Sequence, residues 1–168
     1  CERPRRPGFV YSQASGPRWP LEDWLEMGST NAFGNPLAQK PIDAELVVPA
    51  GHRGPAFLAY DNFDVIMGWN RSEFYAIAVG HLADRVAGAG GLQNPPPGDL
   101  PALSRDQIIQ LQETLNELGY DSGKADGIMG SATRSAIRAY QLDQQMVADG
   151  YPGTQLLEKL DIHTRPEA

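Results

Sequence analysis

Trp69, Asn70, Ser72 and Tyr75 stand within seven residues of one another in Asn62–Val86, NFDVIMGWNRSEFYAIAVGHLADRV. These side chains could do recognition chemistry together. A flat indole and a phenol offer apolar faces for a sugar ring, and amide and hydroxyl groups offer hydrogen-bonding handles. The same residues also fit a plainer reading, in which Trp69 and Tyr75 are core and Asn70 is only a helix cap. Carboxylates are plentiful around them (Glu22, Glu26, Glu45, Asp61, Asp64, Glu73). Acid–base cleavage of a glycosidic bond needs one or two such groups. None has a sequence setting apolar enough to mark it as a proton donor, and Glu73 is expected to serve a helix cap. No Gly-rich phosphate loop and no Ser/His/Asp motif is present.

The elements that must position this corner follow from periodicity. Phe63, Val65 and Met67 alternate with Asp64, Ile66 and Gly68, which predicts a strand over Phe63–Met67. The period then changes. Phe74, Ile77, Ala78, Leu82 and Val86 give one apolar stripe and predict a helix over Ser72–Ala87. Asn70 followed by Glu73 matches a capping pair. Upstream, Pro20 opens a short helix with Leu21, Trp24 and Leu25 buried and Gly28 as its stop. Trp19 and Trp24 are expected to pack rather than bind. Leu46–Pro49 and Ala56–Tyr60 read as strands joined by a Gly/Pro turn that carries His52 and Arg53. Residues 29–45 show turn residues and no clear period. Arg3, Arg5 and Arg6 make a basic, solvated start.

Asn94-Pro95-Pro96-Pro97-Gly98 reads as a linker. The domains expected are 1–91, a linker over 92–102, and a second domain over 103–162. The second reads as three helices. Ser104 with Gln107 forms a capping box ahead of Ile108, Leu111, Leu115 and Leu118, and Gly119 ends that helix. The next starts near Ser131 and uses Ala136, Ile137 and Tyr140. The last starts near Thr154 with Leu156, Leu157 and Leu160. Leu111-Gln112 leads to Asp126-Gly127 as Tyr140-Gln141 leads to Asp149-Gly150, a duplicated helix–loop unit. A calcium loop over Asp121–Ala132 is rejected, because Gly123, Ala125 and Ala132 stand where acidic ligands belong.

Composition sets the outer bounds. The chain has 168 residues, 41% hydrophobic, with 18 Gly and 14 Pro. That fits one or two small, loop-rich globular domains. A formal charge of −7 argues against nucleic acid as a partner. No run approaches a membrane span. One Cys, Cys1, allows no internal disulfide. Three His and one Cys show no metal-ligand spacing, so neither metal nor cofactor is expected.

Gly54-Pro55-Ala56-Phe57-Leu58-Ala59-Tyr60, Asn62-Phe63, Trp69-Asn70-Arg71-Ser72-Glu73-Phe74-Tyr75-Ala76 and Leu82-Ala83-Asp84-Arg85 resemble the C-terminal part of the B-type lytic murein transglycosylases. The pattern Leu111-Gln112, Leu115, Gly119-Tyr120, Gly123, Asp126-Gly127, Gly130, Thr133, Ala136-Ile137, Tyr140-Gln141 and Asp149-Gly150 is similar to a peptidoglycan-binding domain. The resemblance implies an α+β fold: a small antiparallel sheet with helices, the end of a lysozyme-like catalytic domain, then a three-helix peptidoglycan-binding domain. It implies a periplasmic or cell-envelope setting and peptidoglycan glycan strands as partner. It further implies cleavage between N-acetylmuramic acid and N-acetylglucosamine with a 1,6-anhydro product, and Trp69, Asn70 and Tyr75 as residues lining the sugar groove. Trp69 stands where some members have Tyr, which keeps stacking and loses a phenolic hydrogen bond. The family's catalytic Glu lies in an upstream Gly-rich segment with no counterpart here. No catalytic residue is therefore assigned, and the expectation is a wall-binding portion that does not cleave alone. Two other readings stay open. One is a complete non-catalytic envelope protein lipidated on Cys1; the other is a hydrolase using Glu73 or Asp64.

Overall fold

The computed structural model describes residues 11, 16–31, 35–70 and 72–163. Cys1, Arg3, Arg5, Arg6 and Arg71 lie outside the described residues. The chain divides into two compact units, one of residues 1–49 and 54–95, the other of residues 50–53 and 96–168.

The first unit is built on a three-stranded antiparallel sheet, β1 (Trp19–Pro20), β2 (Asp43–Val47) and β3 (Phe57–Ala59), with β2 in the middle. Trp19 pairs with Ala44, and Leu46 with Leu58. Pro20 can sit in β1 because an edge strand does not need its N–H. It then caps α1 (Leu21–Glu26), whose Leu21 and Trp24 are buried. Trp24 is 0% exposed, and its indole N–H donates to the carbonyl of Ala44 at 3.0 Å. Alternation along β2 turns Ala44 and Leu46 inward, where they meet Leu21, Trp24, Leu37 and Leu58 in one apolar cluster. Packing thus accounts for Trp24, as expected, while Trp19 stays 37% exposed.

Two expectations fail here. Phe63–Met67 is not a strand: α2 covers Asp61–Trp69. Phe63 and Ile66 share a helix face at i, i+3 spacing, and Asp61 and Asp64 occupy the first turn, where carboxylates complement the helix dipole. Arg18 pairs with both acids, reaching Asp64 at 2.7 Å. The capping register also differs. α3 runs Glu73–Val86 with Ser72 as N-cap, its hydroxyl accepting from the Tyr75 N–H at 3.3 Å. Asn70 instead ends α2, and its side-chain oxygen accepts from the Ser72 N–H at 3.2 Å. Asn70 forms an Asx-type turn and the cap falls to Ser72, which stands two positions closer to the helix.

The second unit carries α4 (Arg105–Glu117), α5 (Ser131–Asp143) and α6 (Thr154–Lys159). The Ser104–Gln107 capping box is complete. Leu111, Leu115, Ile137, Tyr140, Leu156 and Leu157 form its core. Tyr120 meets Tyr140 edge-to-face at 5.5 Å. The duplicated unit is a physical lock. The Gln112 carboxamide donates to the Ile128 carbonyl (3.1 Å) and Thr133 hydroxyl (2.9 Å) and accepts from the Gly127 N–H (2.9 Å). Gln141 repeats this, donating to Asp149 (2.9 Å) and the Tyr151 carbonyl (3.1 Å) and accepting from the Gly150 N–H (2.9 Å). Gly127 and Gly150 have φ of +75° and +71°, and a Cβ at either would strike Arg105 or Arg138. That explains glycine at both positions.

Candidate carbohydrate-binding site

The corner between α2 and α3 presents the residues singled out for recognition. Trp69 is the last residue of α2 and is 89% exposed. Tyr75 sits one turn into α3 and is 46% exposed. Asn70 is exposed between them. The plainer reading, with both aromatics in the core, is therefore incorrect. α2 has no buried residue and α3 buries only Ala76, so neither ring is part of a packed core. Asn70, Ser72 and Tyr75 are tied by the two local hydrogen bonds already described, which order the backbone of the corner. An indole standing in water beside a fixed amide is an arrangement that can stack on a sugar and bond its hydroxyls.

Sequence reasoning missed a cavity in the same unit. About 490 Å³ in volume, it lies among β3, α2, α3 and residues 89–92. Its walls are mainly apolar (Phe63, Ile66, Ile77), with Asn62, His81 and Asp84 as polar groups. Trp69, Asn70 and Tyr75 do not line it. Asn62 on α2 and His81 on α3 share it only because α2 is a helix, so the strand reading hid the juxtaposition.

The carboxylates of Asp61 and Asp64 are exposed and paired with Arg18. Arg53 and His52, at the tip of a Gly/Pro turn, are engaged in the second unit. One Nη of Arg53 donates to both oxygens of Asp99 (2.9 and 2.8 Å), whose carboxyl is lowered chiefly by that hydrogen bond. His52 donates its backbone N–H to Asp149 at 2.7 Å, and its Nδ1 lies 2.6 Å from the same oxygen. Burial pushes the Asp149 carboxyl upward, but the hydrogen bonds from His52, Tyr151 and Gln141 outweigh it, and the net shift is downward. The sign of the linkage follows. Asp149 adds stability above the ordinary aspartate range and loses it as pH falls through its depressed value. Acid unfolding of the second unit should accordingly begin below about pH 4. Asp149→Asn should flatten that dependence in a pH series of thermal melts; an unchanged acid limb would refute the assignment.

In the loop after α4, Asp121 and Asp126 accept backbone N–H bonds from Gly123 (3.0 Å) and Ile128 (2.9 Å). Among the described residues there is no group of three or more His, Cys, Asp or Glu placed to hold a metal, and no helix long and apolar enough to cross a membrane.

Comparison with known proteins matches residues 4–84 to the family "Transglycosylase SLT domain" and residues 104–160 to "Putative peptidoglycan binding domain". The structure is similar to that of SltB3 from Pseudomonas aeruginosa, solved in complex with NAG-anhNAM-pentapeptide. The TM-score is 0.87 and the identity 44%, covering 95% of this chain and 44% of that one. A localization factor, PodJL, from Caulobacter vibrioides is 35% identical over 65 residues, which is 39% of this chain and 7% of that protein. A spore cortex-lytic enzyme from Halalkalibacterium halodurans is 36% identical over 59 residues, 35% of this chain and 18% of the enzyme. The chain thus spans less than half the length of SltB3 and a small part of these two relatives. Sequence and structure converge: the chain joins a segment that matches the transglycosylase SLT domain to one that matches a peptidoglycan-binding domain, and over most of its length it is similar to SltB3.

Proposed function

We propose that this chain binds peptidoglycan in the periplasm as part of the apparatus of a lytic transglycosylase, which cleaves between N-acetylmuramic acid and N-acetylglucosamine with a 1,6-anhydro product. Trp69, Asn70 and Tyr75 contact the glycan, and the second unit adds hold on the wall. The observation that carries this is the indole of Trp69, 89% exposed at a corner fixed by hydrogen bonds, within the stretch that matches the transglycosylase family. SltB3 was solved with a glycan bearing a pentapeptide, and the same ligand class is proposed here. The 168 residues bind without cleaving. The carboxylates nearest the corner support this: Asp64 is exposed and paired with Arg18, and Glu73 opens α3.

The test is sedimentation with purified insoluble peptidoglycan, beside an assay of the supernatant for reducing ends and anhydro-muropeptides. Binding without release is expected, and anhydro products would overturn the non-cleaving part of the reading. Trp69→Ala should weaken binding to peptide-free glycan oligomers about tenfold, roughly 1.4 kcal/mol, while leaving the thermal midpoint unchanged, because so exposed a ring contributes little to packing. Equal glycan affinity in the variant would remove Trp69 from the site.

A further inference from the structure

The second unit holds its own cavity, about 300 Å³, beside the Asp149–Tyr151 turn. We propose that it binds a short peptide of the wall's stem type, by small side chains and backbone amides rather than by sugar. This rests on the peptidoglycan-binding reading and gives it a site and a ligand class. One side of the wall is aliphatic or thioether (Leu100, Pro101, Met146, Val147 and Leu156), and His52, Arg53, Gln141 and Asp149 are among the residues that line the rest. Tyr151 is the sole aromatic carbocycle among the lining residues and is half-buried. A sugar site favours an open aromatic face, whereas a short peptide with alanine methyls suits a cavity that is aliphatic on one side and polar on the other. The exposed side chains of Thr154 and Gln155 supply a hydroxyl and an amide on the same lining, the groups that pair with a peptide backbone. The volume stands at the lower end of the ~300–1,000 Å³ range of ligand pockets, sized for a dipeptide and too tight for a disaccharide carrying its peptide.

The cavity is also preformed. Asp149, 4% exposed, spends one oxygen on His52 and the other on Gln141 and the Tyr151 N–H. The turn is thereby held before any ligand arrives, which lowers the ordering cost of binding. Arg53 is matched by Asp99 on the same unit, so recognition here does not depend on a net charge. The first repeat has Ile128 where the second has Tyr151, so the half that bears the cavity is chemically distinct from its duplicate.

The experiment is methyl and amide NMR on the 168-residue chain, titrated with a synthetic sugar-free pentapeptide, L-Ala-γ-D-Glu-L-Lys-D-Ala-D-Ala, and separately with peptide-free N-acetylglucosamine oligomers. The pentapeptide should shift the Val147 and Leu156 methyls saturably, and the oligomer should not. Val147 is 47% exposed, so Val147→Arg should fill the cavity without unfolding the unit and weaken pentapeptide binding at least tenfold, with the spectrum elsewhere unchanged. Wild-type affinity in that variant, or equal methyl shifts from the oligomer, would overturn the proposal. If the chain sediments with peptidoglycan but the pentapeptide leaves these methyls in place, the assignment falls and the wall-binding reading stands. If it sediments with none, both fall.

Discussion

Trp24→Ala is expected to cost the first unit about 3–5 kcal/mol, the largest effect of any single change considered. Three contributions combine. The indole is 0% exposed and sits at the centre of the cluster formed by Leu21, Leu37, Ala44, Leu46 and Leu58, so its loss leaves a cavity that a sheet with a two-residue edge strand cannot close. Its N–H donates to Ala44, whose partner across the sheet is Trp19, so the anchor that presses β2 onto α1 goes with it. The unit has little to spare, since domains hold roughly 0.05–0.15 kcal/mol per residue. Hydrogen exchange followed by mass spectrometry is the appropriate measurement. Protection of Asp43–Val47 and Phe57–Ala59 should collapse while that of Arg105–Glu117 persists. Full protection of β2 and β3 in the variant would show that Trp24 is not the keystone of this core. Trp24→Phe separates the terms, keeping most of the apolar volume and losing the hydrogen bond, at about 1 kcal/mol for that bond.

Gln112→Leu should destabilise the second unit by about 2–3 kcal/mol even though it preserves volume and adds hydrophobicity. Gln112 is 1% exposed. Leucine would leave the buried Thr133 hydroxyl and the part-buried Gly127 N–H and Ile128 carbonyl without the partner they have now, and a fully buried orphan alone costs about 1–3 kcal/mol. In a domain of this size 1 kcal/mol moves the thermal midpoint by roughly 4–8 °C, so a fall of about 10–20 °C is expected. Gln112→Glu tests the polarity of the lock: it keeps an acceptor for Gly127 but turns the donor that faces Ile128 and Thr133 into a second acceptor. That variant should be the less stable of the two at neutral pH and recover in mild acid as the carboxyl protonates. A melt of Gln112→Leu within a few degrees of the parent would show that the amide is a bystander.

What the sequence made legible was local or repeated. Ser104 and Gln107 lie three apart before an apolar stripe, and the box forms. Pro20, Leu21 and Trp24 specify a short helix because a proline start and an i, i+3 pair leave little else. Gln112 and Gln141 stand out because the same string occurs twice. The failures were of a different kind. Over Phe63–Met67 a five-residue run satisfied a period of two and a period of 3.6 equally, and Tyr60, at the N-cap of α2, makes no side-chain cap, so the usual arbiter was absent. Asn70 and Ser72 are both good caps, and distance to the helix decided between them. β1 is two residues long and leaves no periodic trace. Trp69 was harder still, because an amphipathic residue at a helix end is as consistent with burial as with exposure, and only the packing of α2 tells which. The bond from His52 to Asp149 spans 97 residues, a separation at which no local pattern carries information.

The two amide locks span chain segments of different length: 14 residues separate Gln112 from Asp126, and 8 separate Gln141 from Asp149. Polymer closure entropy makes that difference worth only ~0.5 kcal/mol. A clasp that fastens both ends of a loop is nearly indifferent to what the loop contains. Ser122 and Gly123 are tied to α4 and α5, so the place where evolution, or a protein engineer, can lengthen this loop to carry a label or an epitope is the exposed Lys124.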